Sequence, residues 1–415
     1  MKYLTKEFFL VLTVFSKEVF SVGAGESTAD LYQIGVAAAG FLYYFRPRPI
    51  AGLVTALCAV FALSVILFTL YEFPVSSMFQ RQAAAVGFIY LGIACYLLNC
   101  DRDRLVVAYF RLCYVAAVFG IIQFCLSAVG ILILIKLPMR LDSFAAEPSH
   151  YAVAVAPVIY YCFRYCRSPK ARRRAVVILS SLVLTVSTTA VAVFLVAFAL
   201  AFYSRRGIFA ILALSVAMPF LLMVPPDAFP EVIASRIISM REYFYQDANP
   251  WETTNLTVLS FATNFEVMLS TFKEGRILGN GFCGHLAAYE RQYSGTAFEL
   301  HPRYGINAPP AHCLVIRMLS EFGFLGLLVL GFGSWHFVSY RRTDLWSMFL
   351  LMAFVGRALK LGSWVDYGLP LFLLAPFYLP RMAPRTSVRR APRGVRSLPS
   401  SAVLSNPPRG RLAAE

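Results

Sequence analysis

Residues 311–330 read AHCLVIRMLSEFGFLGLLVL, and they mark the point where a polar loop gives way to an apolar segment. A membrane-spanning helix needs about 20 mostly apolar residues, which this segment supplies. The preceding residues are polar and aromatic and include His285 and His301, so that with His312 the loop carries three of the five histidines. The stretch therefore predicts ionisable groups at a membrane surface, a place suited to chemistry on a substrate with a lipid tail and a polar head.

The composition of the whole chain is that of a membrane protein. Hydrophobic residues make up 59% of its 415 positions and charged residues 14%, whereas a soluble chain carries roughly a quarter charged residues. The mean hydropathy is +0.65. Apolar segments recur at residues 6–22, 30–45, 50–71, 83–98, 105–135, 150–166, 175–203, 207–224, 313–338, 345–359 and 361–379. They predict an all-α fold, a polytopic transmembrane bundle of about 12 helices.

The net charge of +16 does not indicate nucleic-acid binding, because much of it lies in short loops between apolar segments and in the tail. Lys and Arg at such places set the orientation of the helices and mark the cytoplasmic side. Segment 175–203 lies between basic clusters at 164–174 and Arg205–Arg206, so it must cross the membrane twice. We predict a broken hairpin of two short helices that meet near Ser187–Thr189. The alternative is one long helix, which would place one of these two basic clusters on the external side of the membrane.

This orientation divides the chain into four parts. Residues 1–224 form an N-terminal transmembrane bundle, 225–311 a long external loop, and 312–379 the C-terminal transmembrane helices. Residues 380–415 form a basic cytoplasmic tail, rich in Arg, Pro and Ser, that is predicted to be disordered.

One amphipathic helix is predicted inside the external loop. Val258, Phe261, Phe265, Leu269 and Phe272 recur there at helical spacing. The pattern favours a helix that starts after a capping Asn255, ends at Gly275, and lies on the membrane or against the bundle.

Four short motifs follow one another in a fixed order between about residues 100 and 335. They are RLDSFAAEPSHYA at 140–152, LTVSTTAVAVFLVAF at 184–198, RILGNG at 276–281 and the stretch at 311–330. In order and spacing they resemble the R-x-x-G-x-F-x-x-P-N, LTxSRGxxxxL, PLLGVG and AHNxYLxxLxExGxxGLxxF motifs of the O-antigen ligase and Wzy-type polysaccharide polymerase family. Thr188 and Cys313 stand where that family usually has Arg and Asn, so the cationic clamp of this chain is expected to use other side chains.

The resemblance implies glycosyl transfer at the periplasmic face. The donor would be a glycan on undecaprenyl pyrophosphate, and the acceptor a sugar hydroxyl on another lipid-linked glycan. The fold of the family is similar to that of metal-independent GT-C glycosyltransferases, so no metal and no cofactor are expected. Partners would be membrane lipids, a chain-length regulator and a flippase, with no nucleic acid.

The candidate catalytic residues are His312 and Arg140. A positioned base that takes the proton of a sugar hydroxyl contributes about 10²–10⁴-fold, and histidine titrates nearest to neutral pH. Arginine binds phosphate oxygens bidentately and stabilises a pyrophosphate leaving group. Candidates for substrate binding are Arg236, Arg303, Glu147 and Arg276. Each of these residues could instead have a structural role. It could be an interfacial side chain or, for Glu147 before Pro148, a charge at a helix start.

A transporter is the rival hypothesis: a flippase for lipid-linked oligosaccharide or an exporter of the finished polymer. About twelve crossings with basic cytoplasmic loops suit it equally. A flippase, however, needs charged residues lining a central cavity and has no need of a long external loop. The sequence leaves polymerase and ligase unseparated, because they differ in acceptor and share their catalytic logic.

Overall fold

The computed structural model describes residues 5–22, 29–131, 140–145, 147–202, 255–340 and 345–379, together with 225, 234, 237–239 and 241–242. The predicted segment 207–224, the tail 380–415 and Arg236 lie outside this part of the chain.

The described chain is all-helical, apart from a two-residue antiparallel pairing of Ser21–Val22 with Ala29–Asp30. Its helices are α1 Lys6–Leu12, α2 Lys17–Phe20, α3 Leu31–Tyr44, α4 Pro47–Leu70, α5 Ser77–Leu97, α6 Arg102–Ala128, α7 Pro148–Arg164, α8 Pro169–Leu184, α9 Thr188–Ala201, α10 Leu256–Lys273, α11 Gly284–Tyr293, α12 Leu314–Tyr340, α13 Leu345–Leu359 and α14 Leu369–Tyr378. Most of the predicted apolar segments are therefore helices.

Among the described residues, three helical segments are long and apolar enough to cross a membrane: Pro47–Leu70, Arg102–Ala128 and Leu314–Phe332. In α4, few positions are buried and the apolar Val54, Val65 and Ile66 are exposed. Such a surface suits contact with lipid, because an apolar helix surrounded by water would be unstable.

Helix α7 is the centre of the bundle, and its residues from Tyr151 to Tyr160 are all buried. Helices α8, α9 and α13 pack against it. The hydroxyl of Tyr109 from α6 donates to the carbonyl of Ala154 at 2.5 Å and joins α6 to the same centre. The start of α7, which follows Glu147, is thus fixed from several sides.

The segment 175–203 is broken as predicted, and the break lies at Thr185–Ser187, where Val186 has φ +47°. Tyr151, at the start of α7, is hydrogen-bonded to Ser181, near the end of α8 (2.7 Å). Phe163, at the end of α7, contacts Phe198 and Phe202 at the end of α9. Helices α8 and α9 therefore form a hairpin, and its two outer ends lie together beside the end of α7.

The predicted span 313–338 is not one straight helix, because α12 is interrupted at Gly323 (φ +52°, ψ −128°). In a straight helix, residues eight apart are separated by about 12 Å. Here a Cβ on Gly326 would clash with the carbonyl of Met318. The chain therefore folds back at Gly323, where it packs so closely on the backbone of Ile277 that only glycine fits.

The predicted span 361–379 is likewise shorter than expected. Helix α14 begins only at Leu369, and residues 360–368 form an irregular loop with positive φ at Leu361 and Tyr367. Gly362 lets this loop approach the carbonyls of Pro310 and Cys313. The backbone N–H of Leu361 donates to the carbonyl of His312 at 3.1 Å, so the loop lies directly against the histidine.

Candidate functional site

His312 lies at the end of a run of turns, two residues before Leu314, where α12 begins. Its ring and side chain are buried, with 6% of the residue exposed. Both Ala311 (φ +54°) and His312 (φ +60°) adopt the left-handed conformation. Each such non-glycine residue costs about 1–3 kcal/mol, a strain often found at functional sites. The surrounding contacts therefore hold the imidazole in a position that the local sequence disfavours.

Ser260, on α10, holds the His312 ring. Its Oγ lies 2.8 Å from Nδ1 of His312, and the amide of Asn307 donates to the same Oγ at 2.8 Å. If Nδ1 carries the proton, Ser260 accepts both bonds and Nε2 is left to accept a proton. In the other tautomer Ser260 donates, and Nε2–H becomes a donor. Among the described residues, Nε2 itself makes no hydrogen bond.

Burial, with a smaller contribution from the nearby Lys360 ammonium, lowers the pKa of His312 to about 3, while Glu147 opposes the shift. The imidazole is therefore neutral at pH 7, and neutral imidazole is the form that can take a proton. An anion bound beside it would stabilise the imidazolium and raise this pKa.

Lys360 and Glu147 meet beside His312. Nζ of Lys360 lies 3.6 Å from Oε2 of Glu147, and Nε2 of His150 lies 3.8 Å from the same oxygen. Burial raises the pKa of Glu147, but Lys360 and His150 outweigh it and the net shift is downward. The Lys360 side chain is almost fully buried, whereas that of Glu147 is 49% exposed. The cluster therefore opens to its surroundings on the Glu147 side.

Arg140 lies on the same side, at the turn of the α8–α9 hairpin. Its guanidinium makes long hydrogen bonds to the carbonyls of Thr185 and Val186, both 3.4 Å. Burial lowers its pKa, and the charges of Glu147 and Asp142 oppose that shift. Arg140 is thus electrostatically coupled to Glu147, which is itself paired with Lys360.

The predicted loop helix is present as α10, and Asn255 caps it by accepting from the N–H groups of Thr257 and Val258. Leu269 and Phe272 are exposed, whereas Ser260, Asn264 and Thr271 are buried. The helix turns polar groups inward because the histidines and the 276–281 turn supply their hydrogen-bond partners.

His285 is the centre of a second buried network. Nδ1 lies 2.8 Å from Oγ of Ser320, and Nε2 lies 2.8 Å from Oδ1 of Asn264. Asn264 donates through its own amide to the carbonyl of Ser260 at 2.7 Å, so this network adjoins the His312 cluster. Both ring nitrogens are occupied, and this arrangement favours a structural role for His285.

Arg276 lies at the opposite end of that network. It donates to Oδ1 of Asn280 at 2.7 Å, pairs with Glu274 at 2.5 Å and stacks on Tyr71 and Phe73. Asn280 in turn donates to Ser320. The guanidinium is thus engaged by protein groups away from His312, an arrangement that favours a structural role.

Arg303 lies in the turns between His301 and His312, and its backbone N–H donates to Nδ1 of His301 at 3.2 Å. Its side chain is partly exposed. In the part of the chain that the structure describes, no group of three or more His, Cys, Asp and Glu side chains is placed to hold a metal ion.

The residues that sequence reasoning missed are Ser260, Asn307 and Lys360 as partners of the site. A signal existed for Ser260, since Ser260, Asn264 and Thr271 recur at helical spacing on the face opposite to Leu269. Lys360 had no comparable signal, because a lysine beside a predicted span is typical of the charges that set the orientation of membrane helices.

No protein-family model and no curated protein matches this chain.

Proposed function

We propose that this chain is a membrane-embedded glycosyltransferase that polymerises lipid-linked oligosaccharide units into exopolysaccharide or O-antigen. The donor would be a glycan on undecaprenyl pyrophosphate, used at the periplasmic face of a bacterial inner membrane. The observation that carries the proposal is the cluster of His312, Lys360 and Glu147, coupled to Arg140. It combines a neutral imidazole, which can take a proton from a sugar hydroxyl, with cations that can stabilise a pyrophosphate leaving group.

His312 acts as the base in this proposal. The acceptor hydroxyl oxygen bonds to the anomeric carbon of the donor, its proton passes to Nε2, and the bond from that carbon to the phosphate oxygen breaks. Pyrophosphate leaves on the lipid with the bonding electron pair. The role requires the tautomer in which Nδ1–H donates to Ser260. The charge of the donor raises the imidazole pKa and so makes the ring a better base when substrate is bound.

Lys360 and Arg140 stabilise the leaving group. Negative charge develops on the pyrophosphate as the glycosidic bond breaks, and fixed cations aimed at it lower the barrier. Arg140 offers bidentate donors, and Lys360 offers a buried point charge. Glu147 is the anion next to Lys360 in the structure, and its exposed side is where a phosphate would enter.

The test uses His312→Ala and Arg140→Ala, each expressed at the level of the unaltered protein in a strain lacking the chromosomal copy. We expect loss of long glycan chains in both. The control is His301→Ala, which removes a partly exposed histidine from the same loop and should leave chain length unchanged. Persistence of long chains in both variants would contradict the mechanism.

A transporter is less well supported. Its charged groups would line a cavity, yet Arg317 and Glu321 are buried and paired at 2.8 Å. Arg317 also donates to Gln82 and to the carbonyl of Gly362, and Trp364 donates to Glu321. Protein groups therefore satisfy these charges. The lipid intermediate that accumulates in a null strain separates the two functions: at the outer face after loss of a polymerase, at the inner face after loss of a flippase.

A further inference from the structure

A basic cavity of about 530 Å³ lies at the start of α8, well away from the histidines. It is lined by Arg167, Pro169, Arg172, Arg173, Val176 and Val177. All three arginines are exposed, and among the described residues no carboxylate pairs with their guanidinium groups. The sequence contains no Asp or Glu between Glu147 and Asp227. The cavity therefore concentrates positive charge without internal neutralisation.

The helix start adds to this charge. Ser168 caps α8 by accepting from the N–H of Ala171, and Pro169 occupies the first turn. The N–H groups of a first turn carry partial positive charge and favour an anion nearby. Guanidinium groups match the geometry of phosphate oxygens through paired N–H donors. The cavity therefore combines three guanidinium groups with a helix start, a set of donors that suits a phosphate group.

An apolar surface runs from the cavity along α8. Val176 is 55% exposed and Val183 is 70% exposed. They lie two turns apart on one side of the helix, which spans about 10 Å. Free phosphate would make no apolar contact with this surface, whereas an acyl chain attached to the phosphate would cover it.

The cavity and the His312 cluster lie at opposite ends of the α7–α8 pair. The N–H of Leu141, next to Arg140, donates to the carbonyl of Leu184 at the end of α8. The arginines lie at the start of that helix, and its 16 residues correspond to about 24 Å. A lipid held at the cavity would therefore belong to the leaflet opposite to the proposed catalytic face.

We infer that this cavity binds the phosphate headgroup of an anionic glycerophospholipid, with an acyl chain along Val176 and Val183. The three guanidinium groups select for net negative charge, and the valines select for a lipid over a soluble phosphate. The inference does not depend on the catalytic proposal, since none of its residues contacts the His312 cluster.

The test is a titration of the purified full-length protein in neutral detergent, followed by native mass spectrometry. Phosphatidylglycerol should bind more tightly than phosphatidylcholine. Arg172 and Arg173 both line the cavity, and at about fivefold in affinity for each guanidinium group the double variant Arg172→Gln/Arg173→Gln should weaken phosphatidylglycerol binding about 25-fold. The matched control, Arg46→Gln/Arg48→Gln, removes two exposed arginines around another helix start and should change it less than twofold.

Equal weakening by the two double variants, or none by either, would overturn the inference. A second arm uses Val176→Asn/Val183→Asn, which should weaken lipid binding several-fold without altering the arginines. Displacement of phosphatidylglycerol by millimolar inorganic phosphate would identify a site for soluble anions and overturn the assignment to lipid. Thermal unfolding of every variant checks that the bundle is intact, and Arg167→Gln replaces the double variant if that protein is unstable.

Discussion

The Oγ atom of Ser260 lies 2.8 Å from Nδ1 of His312, although 52 positions separate the two residues in the chain. Asn307 donates to the same oxygen at 2.8 Å. A hydroxyl held in this way orients the imidazole, as the partner of a catalytic histidine does elsewhere. The loop helix α10 therefore serves to position a side chain, and its polar face is buried for that purpose.

The first prediction concerns Ser260. Ser260→Ala removes the partner of Nδ1, so the ring loses its fixed orientation, and we expect the rate of glycan polymerisation to fall roughly 10- to 100-fold, part of what a positioned base contributes. Chain length on gels and the rate of product formation in membranes measure the effect. The control is Thr263→Val, one turn further along α10, whose buried hydroxyl donates to the carbonyl of Leu259. An unchanged rate in Ser260→Ala would show that the hydrogen bond between Ser260 and His312 does not contribute to catalysis.

The second prediction concerns Lys360. Lys360→Met removes the buried ammonium beside Glu147 and His312, and we expect polymerisation to fall roughly 100-fold or more. Lys360→Arg keeps a cation and should restore part of the activity. The free energy of unfolding should change by less than about 1 kcal/mol, because the paired Glu147 is half exposed and solvent screens it. Lys273→Met, at an exposed lysine near the end of α10, is the control. Normal chain length in Lys360→Met would refute the role.

The third prediction concerns the fold-back at Gly323. Gly323→Ala requires a strained backbone for a non-glycine residue and places a methyl group against the carbonyl of Ile277. We expect a loss of about 1–3 kcal/mol in stability from the backbone alone, seen as a lower unfolding temperature. Gly331→Ala in the same helix meets no atom within 4 Å and should be neutral or slightly stabilising. Equal behaviour of the two variants would argue against the fold-back.

The fourth prediction concerns pH and His285. Burial, with a smaller contribution from the charge of Arg317, lowers its pKa to about 3. The unfolded chain has a value of about 6.5 and therefore binds the proton first as pH falls. The stability that neutral His285 allows is thus fully present above about pH 6.5 and lost toward pH 3, by up to about 1.4 kcal/mol per pH unit.

Unfolding at pH 7.5 and at pH 5.0 measures this dependence. Between them, the unaltered protein should lose about 2 kcal/mol more than His285→Gln, in which an amide replaces the titrating ring. His301→Gln, at a partly exposed histidine, should behave like the unaltered protein. A parallel loss in all three proteins would show that His285 contributes nothing to the pH dependence.

Much of the fold was accessible from sequence, because hydropathy and helix signals are local. The segments that became α3, α4 and α13 were predicted within a few residues, and the break between α8 and α9 lies at Thr185–Ser187, next to the predicted point. The fold-back at Gly323 was missed, since a hydropathy average over 313–338 does not register one residue with φ +52°. For the same reason the predicted span 361–379 includes residues 361–368, which precede the start of α14 at Leu369.

The order of the residues predicts a helical, apolar chain, a polar loop that ends at His312, and Arg140 and Glu147 ahead of a helix start. Those properties depend on side chains close together in the chain. The tertiary structure adds that Ser260 and Lys360 lie beside His312 and that Arg276 is held elsewhere by Asn280 and two aromatic rings. Such contacts depend on where helix ends and loops pack against each other, and no local pattern of one sequence encodes that packing.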